Sequence, residues 1–287
     1  MTDRENNREN RNPRQGRVLI LLDGSRTSYS ALEAAAEIAA RRGSDVLGVF
    51  VEEVNLLRSA GYGFTREVGS ASGISRPFDP EQLEQRMRRM ASHARQALAR
   101  AVAGRGGQHD LRVARGSAVG ELLALARPDD LLVLGLPRLN MASGLLPGSP
   151  ARGLIRESPA RVLLWCEQRV PERSRVVVAL NDHREANLRA IRAAVDASRY
   201  YHRPVTVLLS PGSQAREQEE ALRREPGLAG TDLRVRTLPA TDPGSVARVL
   251  REEAASHLVL SRDNHLFREP GGDLLLAQLR LPVIITP

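Results

Sequence analysis

The chemistry on offer begins where a short apolar run gives way to glycine. Leu131–Leu134 is followed by Gly135, then Arg138, and after nine further residues by Gly148, Ser149 and Pro150. Gly135 lets the backbone turn at the end of the run, with no side chain to block a ligand. Ser149-Pro150 reads as a helix start, so Gly148 and Ser149 fall where unpaired amides and the positive end of the helix dipole gather. Strand, glycine, loop, glycine-serine and helix together form an arrangement that can hold phosphates through main-chain donors. The same Gly-Ser pair also serves as an ordinary helix cap, and spacing alone leaves both readings open.

Two absences narrow the field. All 42 cationic Lys/Arg positions are arginine, which removes a phosphate loop built on lysine, Schiff-base chemistry and any lysine base. The single cysteine, Cys166, excludes a disulfide framework and a thiolate zinc site. His257 and His265 lie eight apart with Asp263 between them, and each reads as a lone surface histidine rather than a metal ligand. The net charge of +8 is spread along the chain, and aromatics make up only 3%. A nucleic-acid surface shows clustered cations and, for single strands, interleaved aromatics, so an arginine-rich solvated surface is the reading here. No stretch approaches the ~18 uninterrupted apolar residues of a membrane span. Met1 to Gly16 has no apolar segment of the kind a secretory signal needs, and a soluble cytoplasmic protein is expected.

The elements that must position the loop come in two sets. Arg17–Asp23 (RVLILLD) returns as Arg175–Asn181 (RVVVALN), and Val46–Val51 as Val205–Ser210. Asp110-Leu-Arg-Val113 recurs unchanged at Asp232–Val235, Leu131–Gly135 returns at His257–Ser261, and Arg161–Trp165 at Pro282–Thr286. Five segments recurring in one order predict two copies of one domain. Each is a Val, Leu and Ile run suited to a parallel strand buried on both faces. Amphipathic helical patterns lie between them: Ser28–Arg42, Glu185–Tyr201, and a long stripe through Leu83, Met87, Met90, Ala94 and Leu98 that Asp79-Pro80 opens. The fold class is therefore α/β, with two tandem doubly wound parallel-sheet domains, and ligands belong at the carboxyl ends of the strands. Residues 1–15 read as a disordered tail, 16–168 as the first domain and 169–287 as the second. The first copy carries a glycine- and serine-rich excursion over 52–78, either a lid or a mobile surface loop.

With these residues in view, the chain resembles the universal stress protein family. Nucleotide-binding members show an aspartate at the end of the first strand and a later G-x2-G-x9-G-S/T pattern. Here those positions are Asp23, then Gly135, Arg138, Gly148 and Ser149. The resemblance implies ATP or a related adenine nucleotide, with Mg2+ only as the nucleotide's companion, in a stress-response or signalling role. It implies that Asp23 accepts from the adenine amino group and that Val51 flanks the base. Gly135 would admit ribose and phosphates, and Gly148 with Ser149 would donate to the β- and γ-phosphates. Without the resemblance, Asp23 reads as a turn carboxylate ahead of Ser25–Ser28.

Arg138 replaces the family's second glycine, and its guanidinium either pairs with a phosphate or obstructs the turn. Pro150 removes one amide donor. No positioned base, nucleophile or metal set is evident, so any hydrolysis would be slow. An adenylating enzyme of the pyrophosphatase type would need Ser-Gly-Gly-x-Asp-Ser after the first strand, which Asp23–Ser28 is not. The second copy has Asn181 for Asp23 and Ser261 for Gly135, and its one remaining glycine pair, Gly271-Gly272, precedes Asp273. A carboxylate beside a phosphate is repulsive, so this copy reads as a degenerate structural partner. The copies should pack about a pseudo-twofold axis through Val162–Trp165 and Val283–Thr286, with a homodimer as a further possibility. The competing reading is a nucleotide-free scaffold with both sites degenerate.

Overall fold

Short Val- and Leu-rich runs alternate with amphipathic segments, and in the computed structural model the runs are strands of one sheet. The structure describes residues 16–53, 58, 65–68, 73–77, 79–136, 150–167, 171–212, 215–224, 228, 230–267, 275–276 and 279–287. The first half contributes β1 (Val18–Leu22), α1 (Arg26–Arg42), β2 (Val46–Glu53), β3 (Arg66–Val68), β4 (Ser75–Pro77) and α2 (Pro80–Val102). It continues through β5 (His109–Gly116), α3 (Ala118–Leu125), β6 (Leu131–Gly135), α4 (Pro150–Glu157) and β7 (Arg161–Trp165). The second half runs β8 (Arg175–Ala179), α5 (Arg184–Tyr201), β9 (Val205–Leu209), α6 (Ala215–Arg223) and β10 (Leu233–Thr237). It ends with α7 (Pro243–Glu252), β11 (Ala255–Ser261), a 3-10 turn (His265–Phe267) and β12 (Val283–Thr286).

The ten-stranded sheet has the order β10-β9-β8-β11-β12-β7-β6-β1-β2-β5. Each half is parallel within itself and has the same internal order, third-second-first-fourth-fifth, so the sequence repeat is a repeat of topology. The two fifth strands join antiparallel, with Val283 opposite Leu164, Ile284 opposite Leu163 and Ile285 opposite Val162. These are the strands the sequence nominates for the contact. Within the 52–78 excursion, β3 and β4 form a small antiparallel pair that the sequence pattern does not announce.

Helices cover both faces, and the two faces are built differently. On one, Leu122 of α3, Leu154 of α4 and Val246 and Leu250 of α7 share a single core that runs across the β7–β12 seam. On the other, α1 and α2 bury Leu32, Ala35, Ala94 and Leu98 in a cluster of the first half, while α5 buries Ile191, Ala194 and Val195 in a separate cluster of the second. No helix among the described residues is long and apolar enough to cross a membrane.

Caps set where the helices begin. Ser25 accepts from the Ser28 amide at the head of α1, and Asp79 from the Glu81 and Gln82 amides at the head of α2, with Pro80 in the first turn as the sequence predicts. The α1 and α5 C-caps are both left-handed. The first is Gly43 (φ 63°); the second is His202 (φ 53°), a residue for which this backbone is less favourable.

Candidate functional site

The connections leaving β1 and β6 run to opposite faces of the sheet, and the crevice at their carboxyl ends is the switch point of the first half. Three of the residues nominated from sequence meet there. Leu22 pairs with Phe50, so Asp23 and Val51 follow at one level on adjoining strands. The β1–β6 register (Ile20 opposite Val133) continues to bring Gly135 beside Leu22.

Asp23 is exposed, and its Oδ1 accepts from the Ser25 amide at 2.9 Å. That bond shapes the turn delivering Ser25 as the α1 cap, the role the residues alone suggest. Gly24 takes φ 79° within this turn, and a Cβ on it would lie 2.5 Å from Cε of Met90 in α2. Val51 is half-buried and packs on the core. Gly135 has a packing role that sequence reasoning does not supply: a Cβ there would sit 2.4 Å from the Thr27 carbonyl oxygen and 2.8 Å from the Ser28 nitrogen. Glycine thus lets the first turn of α1 press against the end of β6.

Sequence reasoning passes over Tyr29 and His93. The Tyr29 hydroxyl and His93 Nδ1 lie 2.9 Å apart, joining α1 to α2 with their rings edge to face. Burial, and next the Asp23 carboxylate, raise the Tyr29 phenol above its ordinary pKa. The only signal in the sequence is the three-residue step from Met90 to His93 on one stripe of α2.

Arg138, Gly148 and Ser149 lie outside the described residues. The helix they would lead into is present: α4 starts at Pro150, and Gly153 lets it approach Val119 of α3, to which a Cβ would come within 3.0 Å. Among the described residues no three His, Cys, Asp or Glu side chains gather in a way that could hold a metal ion.

At the equivalent point of the second half the side chains are buried and bonded. Asn181 and Ser261, the counterparts of Asp23 and Gly135, are buried and joined by Asn181 Nδ2 to Ser261 Oγ at 2.9 Å. Asn187 of α5 donates to the Asn181 carbonyl at 2.7 Å and accepts from its amide at 2.9 Å. Asn264 is fully buried; it donates to the Ala179 carbonyl and accepts from the Leu266 amide. Buried side-chain amides and a hydroxyl at this switch point are paired with one another or with the main chain. Gly271, Gly272 and Asp273 lie outside the described residues.

His257 is not a surface residue as the sequence reading had it. At 2% exposure it stacks on Tyr201 of α5, with centroids 4.1 Å apart, because β11 is covered on both faces. Neither ring nitrogen has a partner among the described residues, and burial, aided by the Arg203 charge, pushes the imidazole down to about 4. His265 is half-buried, with Nε2 2.8 Å from the Thr241 carbonyl oxygen.

The model of the universal stress protein family matches residues 16–165, and the chain belongs to that family. A universal stress protein from Archaeoglobus fulgidus DSM 4304 superposes with a TM-score of 0.71, covering 95% of this chain and 96% of that one at 16% identity. A structure from Pseudomonas aeruginosa UCBPP-PA14 does so with a TM-score of 0.59, over 94% of this chain and 92% of that one at 17% identity. At these identities the likeness is one of fold. Among the curated proteins compared, none matches the chain in sequence.

Proposed function

We propose that this tandem universal stress protein binds ATP, or a related adenine nucleotide, in the crevice of its first half and acts in a stress response or in signalling in the cytoplasm. On this reading residues 16–168 form the nucleotide-binding unit and 169–287 a structural partner. The observation that carries it is the contrast between two equivalent switch points. In the first, Asp23 stays exposed beside Val51 and Gly135; in the second, Asn181, Asn187 and Ser261 are buried and joined by hydrogen bonds. The base would lie against Asp23 and Val51. Gly148, Ser149 and the start of α4 would take the phosphates, with Arg138 as a cationic neighbour and Mg2+ arriving with the nucleotide.

A nucleotide-free scaffold is the second reading, and one observation favours it: the Thr27 contact accounts for Gly135 without any ligand. Calorimetric titration with MgATP separates the two. Binding of one equivalent, weakened by about tenfold in Asp23→Ala through loss of a charged acceptor, supports the nucleotide reading. Absence of heat at millimolar MgATP leaves the scaffold.

A further inference from the structure

Over the β7–β12 seam, on the face where the two helical cores stay separate, lies a cleft of about 710 Å³. Its floor is apolar: Leu163 and Ile284, paired across the seam, with Leu131 beside them. Its walls are the C-terminal ends of α1 and α5, which bring Arg41, Arg42, Arg199, Tyr200 and Tyr201, together with Arg161 from the start of β7. The carboxylates on the wall are Asp129 and Asp196. Because Arg161 begins β7 and Pro128, Asp129 and Leu131 lead into and open β6, the cleft sits at the amino ends of these strands, away from the crevice at their carboxyl ends.

Arg42 marks the point of attachment. It is half-buried, and its guanidinium, which carries five donors, makes no hydrogen bond or ion pair among the described residues. The two acids whose charge reaches it are already engaged. Asp196 accepts from Arg161 at 2.9 Å; Asp130 accepts from Arg17 Nη2 at 2.9 Å and from the Arg127 amide at 3.0 Å. Burial and the neighbouring Arg161 lower the Arg42 guanidinium below its ordinary pKa, so its charge is held at a cost that an anion would relieve. Arg41, by contrast, is occupied, bonded to Glu37 and to the Tyr200 carbonyl while lying over the Tyr200 ring.

We infer that this cleft is a binding site for an amphipathic organic anion, with its carboxylate or phosphate on Arg42 and Arg199 and its apolar body on the Leu163–Ile284 floor. The volume suits a small molecule of ordinary ligand size, and the site does not depend on the nucleotide reading.

The probe for the test is 8-anilinonaphthalene-1-sulfonate, an anion on an apolar body whose fluorescence rises in such surroundings. One equivalent should bind saturably to the full chain and be displaced by dodecanoate or dodecyl phosphate; the better competitor identifies the headgroup. Arg42→Gln should weaken binding about tenfold through loss of a charge-assisted pair. Arg199→Glu, on the exposed rim, should weaken it as well without touching the core. Circular dichroism identical to the parent chain shows that each variant is folded. Absence of saturable binding, an affinity unchanged in both variants, or displacement of the probe by ATP overturns the assignment.

Discussion

His257 and Gly135 are each held by contacts that no local pattern announces. Gly135 carries the motif, and its place at a strand end is readable from the apolar run before it. That α1 would press its Thr27 carbonyl onto that position depends on the sheet order and is written nowhere near residue 135. His257 stands in a strand whose alternation is masked by burial on both faces, so a histidine among apolar residues reads as exposed by its type alone. Its burial has a measurable consequence. The unfolded chain protonates this imidazole below about pH 6.5, whereas the folded chain resists down to about 4. Its contribution to stability is therefore complete above pH 6.5 and falls as the pH drops through that window, by ~2 kcal/mol between pH 7 and pH 5. His257→Phe, which retains the stacking on Tyr201, should flatten that part of the profile. Urea midpoints of the two proteins at pH 7 and pH 5 check it, and equal losses in both would refute the assignment.

At the scale of elements, strands and helices were largely legible, because Val- and Leu-rich runs and three-to-four spacing dictate them directly. Asp79-Pro80 predicts the start of α2, and the stripe through Met87, Ala94 and Leu98 is the face it buries. The β3–β4 pair escapes that logic, since Arg66–Val68 and Ser75–Pro77 are too short for any period to show. The turn between β8 and α5 also exceeds local reasoning. Asn187 lies within a helix, yet it bonds both main-chain groups of Asn181, which only the folded crevice explains. Asn187→Ala leaves a buried amide and a buried carbonyl without that partner and should destabilise the protein by ~2–6 kcal/mol, at roughly 1–3 for each group. A denaturant curve checks this; a change below 0.5 kcal/mol, an order-of-magnitude threshold for an uncoupled surface site, would mean that the network carries no load. On the proposed function, Asn187→Ala should leave the MgATP titration of the first half as it is in the parent chain.

At the scale of the whole molecule, the ten-stranded sheet presents two unlike faces. The core that includes Leu154 and Val246 spans both halves, and Ile285, 1% exposed and paired with Val162, lies within it. The halves should therefore unfold together. Trp165, the single tryptophan, reports on the first half, while far-UV circular dichroism reports on both. Ile285→Ala should cost ~2–4 kcal/mol by opening a cavity and should move both signals to the same new midpoint. A Trp165 transition that stays in place while the dichroism shifts would show that the halves are independent. The doubled topology was evident from the five recurring segments. The cleft was not, because it arises from the gap between two helical cores that meet only across the seam.

The seam joins unlike partners. Counted back from their left-handed caps, Arg41 and Arg42 of α1 correspond to Tyr200 and Tyr201 of α5, and it is Arg41 that lies over Tyr200, 4.7 Å from the ring centre. Two identical subunits around a true dyad would set each such residue against its own twin, cation against cation or phenol against phenol. Covalent fusion lifts that constraint: one side of the axis is free to be basic while the other is aromatic, giving a lopsided chamber that a symmetric pair of identical chains could not form.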